Sequence, residues 1–301
     1  MFSDLIRVAL IGLDTSHAIE FARRLQAPDC DEKQKVSGLA VVSCLRFATP
    51  FQSEEGLDER QAMLESWGIK VTTDFDEAIE NCDALIVAIN DPSFHQEYFV
   101  RAASLGKPIF LDKPLADNLA SGRAIVELAE AKNIPFFSAS SLRFVPQLEE
   151  AYLQMPTPQF VHVFGPLGQA PSGSSIIWYG VHSFEMLQRA LGSGAQSVRV
   201  FKDENGVTAI VSYADNRRGV VELNNGAYVY GGSLRDPKRA VPFVADMTYA
   251  YRDLLLLIEA FFRTGQAPLS PQDTLEIMAL LEATERALQS GREEMIEKQA
   301  A

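Results

Sequence analysis

The sequence predicts a two-domain α/β protein, with a doubly wound parallel sheet over residues 1–141 and an α+β domain with a mostly antiparallel open sheet over residues 142–301. Two observations carry this prediction. Up to about residue 140, short apolar runs without polar relief alternate with helical patterns, as expected of strands buried on both faces of a parallel sheet. From Gln159 onward apolar residues recur with a period of two, and Asn-Gly pairs punctuate them, which is the pattern of antiparallel strands and hairpins. At 301 residues, 47% hydrophobic and 22% charged, the chain is long enough to bury two cores.

The first strand is Ile6-Arg-Val-Ala-Leu-Ile-Gly12. The helix after it shows Ala18, Phe21, Ala22 and Leu25 on one face, with Thr15 or Ser16 as N-cap. A strand that ends in glycine and opens a helix is the start of a dinucleotide-binding (Rossmann) unit. Its fingerprint places glycine at three positions, for a tight turn, for close approach of a pyrophosphate and for helix packing. Those positions are Gly12, Asp14 and His17 here. A carboxylate at Asp14 facing a pyrophosphate would cost about 1–4 kcal/mol, unless it turns away and caps the helix. The helix amino terminus, with the Thr15 and Ser16 hydroxyls, would still offer an anion site. His17 either donates to the pyrophosphate or fills space between helix and sheet.

The second strand, Leu39-Ala-Val-Val-Ser-Cys-Leu45, ends at Arg46, where an acidic residue would hold the ribose 2′-OH of NAD. Arginine there suits a 2′-phosphate and tilts an NAD or NADP cofactor toward NADP; otherwise Arg46 is an exposed loop residue. Residues 50–62 read as an acidic loop entering a helix. Strands at 69–71 and 84–89 follow, then a turn from Asn90 to His95, a helix at 96–105 and the apolar strand of Ile109, Phe110 and Leu111. That strand delivers Asp112, Lys113 and Pro114 at its carboxyl end. Ligands of open α/β sheets bind there.

A strand followed by Asp112-Lys113-Pro114-Leu115, about a hundred residues after an amino-terminal strand-turn-helix, resembles the Gfo/Idh/MocA family of nicotinamide-dependent oxidoreductases. The resemblance implies that Lys113 lies beside the nicotinamide and the substrate hydroxyl, with Asp112 on the cofactor side. The turn from Asn90 to His95 is similar to a family Thr-Pro-x-x-x-His turn, so both residues are expected to border the nicotinamide ribose, or to cap the next helix. Ser141-Leu-Arg143-Phe-Val-Pro146 resembles the family's Tyr-Arg-Phe segment between domains, with Arg143 facing either the substrate or the domain interface. Trp178-Tyr179-Gly-Val-His182-Ser-Phe-Glu185 resembles an Asp-x-Gly-x-His-x-x-Asp segment that lines the substrate pocket. His182 is retained, and Trp178 replaces the first acid, where it either stacks on a sugar face or closes the pocket. Tyr179 is counted with Trp178 and Arg143 on the substrate side.

The implied activity is hydride transfer to or from a sugar, polyol or related hydroxy compound, with His182 as proton acceptor and Lys113 polarising the substrate oxygen. The alternatives are a non-catalytic sugar or nucleotide binder and a hydrolase or lyase that holds NAD for transient oxidation. A net charge of −13 argues against nucleic acid or an anionic membrane as partner and for a small-molecule ligand. The amino terminus lacks a basic segment followed by a long apolar run, and Cys30, Cys44 and Cys82 show no metal spacing, so a reduced cytoplasm is expected. The open sheet face implies a homo-oligomer, a dimer or tetramer, with Tyr228 and Tyr230 as candidate contacts.

Overall fold

The computed structural model describes residues 5–298; the start of the chain, from which the absence of a leader is expected, lies partly outside them. The chain forms two compact units, one of residues 1–116, 120–138 and 251–270, the other of residues 117–119, 139–250 and 271–301.

In the first unit six parallel strands line up in the order β3-β2-β1-β4-β5-β6. They are β1 (Ile6–Ile11), β2 (Leu39–Leu45), β3 (Lys70–Thr72), β4 (Ala84–Val87), β5 (Ile109–Leu111) and β6 (Phe136–Phe137). The order reverses between β1 and β4, the switch point where doubly wound sheets bind ligands. Side chains of β4 and β5 are buried throughout, as their uninterrupted apolar runs require. The crossovers are α1 (Ser16–Gln26), α2 (Glu54–Ser66), α3 (Phe75–Ile79), α4 (His95–Ala103) and α5 (Leu119–Lys132).

The sequence puts everything after residue 141 in the second domain. The structure returns one later helix, α8 (Ala250–Thr264), to the first unit. Its apolar stripe explains why: Phe261 meets Phe137 of β6 edge-on at 5.0 Å, and Tyr251 meets Phe21 of α1 at 5.9 Å.

The second unit carries a seven-stranded sheet in the order β12-β11-β7-β10-β9-β8-β13. The strands are β7 (Phe160–Pro166), β8 (Ala195–Asp203), β9 (Gly206–Tyr213), β10 (Arg218–Asn224), β11 (Gly231–Arg235), β12 (Ala240–Val244) and β13 (Glu294–Met295). All pairs are antiparallel except β7 with β10. Asn205-Gly206 turns β8 into β9, a hairpin as expected. Asn225-Gly226 does not make one, because after β10 the chain crosses to the far side of β7 before β11 begins. Helices α6 (Pro146–Gln154), α7 (Val181–Leu191) and α9 (Pro271–Ser290) complete the unit. Val207, Ala209 and Val211 of β9 and Val221 and Leu223 of β10 are buried on one face, whereas Phe160, His162, Phe164, Ile210 and Val220 lie half-buried on the other. Tyr228 is 73% exposed, but Tyr230 is 8% exposed and turns inward, so it is not a surface contact.

Candidate functional site

The first unit places its candidate residues at the carboxyl ends of β1, β4 and β5. A Cβ on Gly12 would stand 2.4 Å from the carbonyl oxygen of Ala88, and its φ is +106°, so the tight turn after β1 accepts glycine only. Thr15 is the N-cap of α1: its Oγ1 accepts the His17 N–H at 3.2 Å, and Ser16, the first helical residue, is exposed.

Asp14 does not cap that helix. It is 1% exposed, and its carboxylate accepts the Asn90 N–H at 2.8 Å, the Thr49 hydroxyl at 2.7 Å and the Asp91 N–H at 3.3 Å. Burial pushes its carboxyl above the ordinary value, and these donors offset only part of the rise. Asp14 thus stitches the turn after β1 to the turn after β4. Asn90, expected beside a ribose, gives its backbone N–H to that stitch.

His17 joins α1 to the loop after β5. Its Nδ1 lies 2.6 Å from Asp112 Oδ2, and its ring packs edge-on against Tyr251 at 5.1 Å. Burial would push the Asp112 carboxyl up, but the His17 charge and hydrogen bond, together with the Lys113 ammonium, outweigh it and hold the group below its ordinary value. Asp112 Oδ1 is buried without a hydrogen-bond partner among the described residues.

Lys113 stands two residues after the end of β5 and is 7% exposed. His95, expected on the cofactor side, is fully buried and serves the lysine loop instead. Its Nδ1 lies 2.8 Å from the carbonyl oxygen of Pro114, and its Nε2 lies 2.8 Å from that of Ile89. The loop carrying Lys113 is therefore held on both sides, by the Asp112–His17 pair before the lysine and by His95 after it.

Arg46 stands at the end of β2 as expected, but its guanidinium is committed to α2. Nη2 lies 2.8 Å from Glu54, and Nη1 lies 2.7 Å from both Asp58 and Gln61. The acidic run of residues 50–62 captures the arginine, because one helical turn separates Glu54 from Asp58 and both reach the same group.

In the second unit Trp178 and Tyr179 lie on a single π turn, Ile176–Gly180, that runs into α7. Such turns often mark functional sites. Their rings meet at 5.1 Å, and Tyr179 meets the imidazole of His182 edge-on at 5.3 Å. Tyr230 packs against the same imidazole at 5.8 Å, which accounts for its burial. His182 Nδ1 contacts Ser140 Oγ at 2.6 Å, and the Ser140 N–H donates to Glu185 at 2.8 Å.

Arg143 donates to Gln188 at 2.9 Å and stands 3.7 Å from Glu185, both on α7. Burial pulls its guanidinium below the ordinary value against the opposing charge of Glu185. Sequence reasoning missed Ser140, Thr49 and Tyr251, since nothing in their local patterns names a partner dozens of residues away.

A doubly wound sheet with a glycine turn at its switch point and a buried lysine at a strand end is the arrangement of a dinucleotide-binding fold. Residues 6–139 match the Gfo/Idh/MocA family model, described as an oxidoreductase family with a NAD-binding Rossmann fold. The match covers just under half of the chain. It is similar to inositol 2-dehydrogenase 2 of Saccharopolyspora erythraea, 25% identical over 206 residues that cover 62% of this chain and 58% of that one. The chain spans less than two thirds of the curated relatives it matches, between 24% and 58% of their length. Two crystal structures share the fold across both chains. A probable dehydrogenase from Thermotoga maritima superposes with TM-score 0.79 at 18% identity, over 97% of this chain and 99% of that one. Myo-inositol dehydrogenase from Lactobacillus casei, in complex with NAD(H) and myo-inositol, gives 0.82 at 13%, over 99% and 98%. Among the described residues no helix is long and apolar enough to cross a membrane.

Proposed function

We propose that this protein is a nicotinamide-dependent oxidoreductase that transfers a hydride to or from a sugar, polyol or related hydroxy compound. The observation that carries the reading is Lys113, a buried lysine at the carboxyl end of β5 in a loop pinned on both sides. An ammonium held in advance is suited to stabilising negative charge that develops on a substrate oxygen. A lysine whose role was only to keep the surface soluble would not need such anchoring.

The residues fit a dinucleotide. Gly12 permits the tight turn after β1, and α1 presents its amino terminus to an anion. The objection raised by Asp14 falls away, because its carboxylate is consumed by three donors and buried from the turn's surface. Asp112 Oδ1 leaves an acceptor beside Lys113. The commitment of Arg46 to Glu54 and Asp58 supports NAD over NADP, since a 2′-phosphate would have to compete with two carboxylates for one guanidinium. A bound nicotinamide would supply the hydride donor or acceptor; Lys113 is the polar group that the first unit would offer to a substrate oxygen, and His182, with Tyr179 against its ring, the one that the second unit would offer. The acting protein is a cytoplasmic homo-oligomer in this reading.

The test is fluorescence titration with NADH and NADPH, followed by turnover assays on myo-inositol and related polyols and their keto forms. NADH should bind more tightly than NADPH, and at least one pair should show nicotinamide-linked turnover. Sugar binding with no turnover under either nicotinamide would overturn the reading in favour of a non-catalytic binder.

A further inference from the structure

The surroundings of His182 deepen the proposed reading, on which the following inference rests. Ser140 is fully buried just beyond β6. Among the described residues its Oγ has two partners, the Leu142 N–H at 3.1 Å and His182 Nδ1 at 2.6 Å. A backbone N–H only donates, so Leu142 occupies a lone pair of the oxygen and cannot receive the hydroxyl proton. That proton has one acceptor left, Nδ1. A ring nitrogen that accepts carries no hydrogen, so the neutral imidazole bears its proton on Nε2.

The serine is itself fixed by its N–H to Glu185, three residues beyond His182 on α7. The edge-on rings of Tyr179 and Tyr230 restrict the ring flip that would exchange the two nitrogens. Trp178, standing where the resembling segment carries an acid, has only an N–H donor and cannot accept a proton from Nδ1.

We infer that Ser140 is a positioning residue that holds His182 as its Nε2–H tautomer, so that the histidine meets a substrate oxygen as a hydrogen-bond donor and not as a proton acceptor. This inverts the roles that the resemblance implies. Were a carbonyl compound reduced by hydride from a bound nicotinamide, the proton its oxygen gains would come from a separate acid, an ammonium or water, and His182 would polarise that oxygen while keeping its own proton.

The tautomer can be read directly. Long-range 1H–15N correlation spectra of protein carrying 15N in its four histidines, recorded about two units above the ordinary imidazole pKa of about 6.5, report which ring nitrogen is protonated. The His182→Gln spectrum assigns the signal. Wild type should show His182 protonated at Nε2 and bare at Nδ1. Ser140→Ala should lose that single-tautomer pattern, and Ser140→Thr, which keeps the hydroxyl, should retain it. A protonated Nδ1 in wild type, or a Ser140→Ala spectrum identical to wild type, overturns the inference. The wild-type spectrum requires neither a variant that folds nor a substrate. If it matches while no carbonyl or hydroxy compound is turned over, the dehydrogenase reading fails and the tautomer assignment stands.

Discussion

Asp14→Ala separates two accounts of the altered glycine turn. If the carboxylate faced a bound pyrophosphate, its removal would tighten the cofactor and leave the fold untouched. The structure predicts the reverse. The two short contacts, from Asn90 N–H and the Thr49 hydroxyl, each contribute about 1.5–3 kcal/mol when the acceptor is charged. Burial works against them, as the raised pKa records, so the net loss should be about 2–4 kcal/mol. For a unit of this size that corresponds to a fall in Tm of roughly 5–15 °C by circular dichroism. The pH dependence follows from the direction of the shift. A carboxyl whose folded pKa is raised contributes stability that is fully present below the unfolded value, about 3.9, and is lost as pH rises through the folded value. The gap between wild type and variant should therefore be widest in acid and narrow toward neutrality. A Tm within about 1 °C of wild type at every pH, or tighter NADH binding by the variant, would refute the reasoning.

Lys113→Met should keep the fold and lower kcat about a hundredfold to a thousandfold, the usual loss for one preorganised donor, in assays with whichever polyol or keto compound proves active. His17→Ala leaves the Asp112 carboxylate buried without its principal partner, so urea unfolding should register a loss of about 2–4 kcal/mol at neutral pH. Because the folded Asp112 pKa is lowered, its stabilisation is present above the unfolded value and lost as pH falls through the folded one, and the His17→Ala deficit should shrink below about pH 4. Arg46→Ala should leave the ratio of NADH to NADPH affinity unchanged in fluorescence titrations, since the guanidinium is already bound to α2; a selective loss of NADPH binding would show that it reaches a 2′-phosphate.

Much of the scaffold is legible without coordinates. Unbroken apolar runs such as Ala84–Val87 and Ile109–Leu111 can be buried only on both faces, which forces a parallel sheet. Alternation along β7, β9 and β10 forces a sheet with one covered face. The order of strands follows less surely: Asn225-Gly226 has the composition of a hairpin turn, yet the chain passes over β7 there, because a turn's chemistry sets its own dihedrals and not the neighbour its strand will choose.

The sequence by itself determined where Gly12 must stand and that Lys113 ends a buried strand, because both follow from steric and burial rules acting over a few neighbouring residues. Only the tertiary structure decided what the polar groups do. Asp14 meets Asn90 across 76 positions, His17 meets Asp112 across 95, and Ser140 meets His182 across 42. It also drew α8 from the far end of the chain onto β6. Periodicity tells a side chain which way to face, but a buried donor or acceptor is satisfied by whichever partner the fold brings within about 3 Å, and that partner has no signature in local sequence.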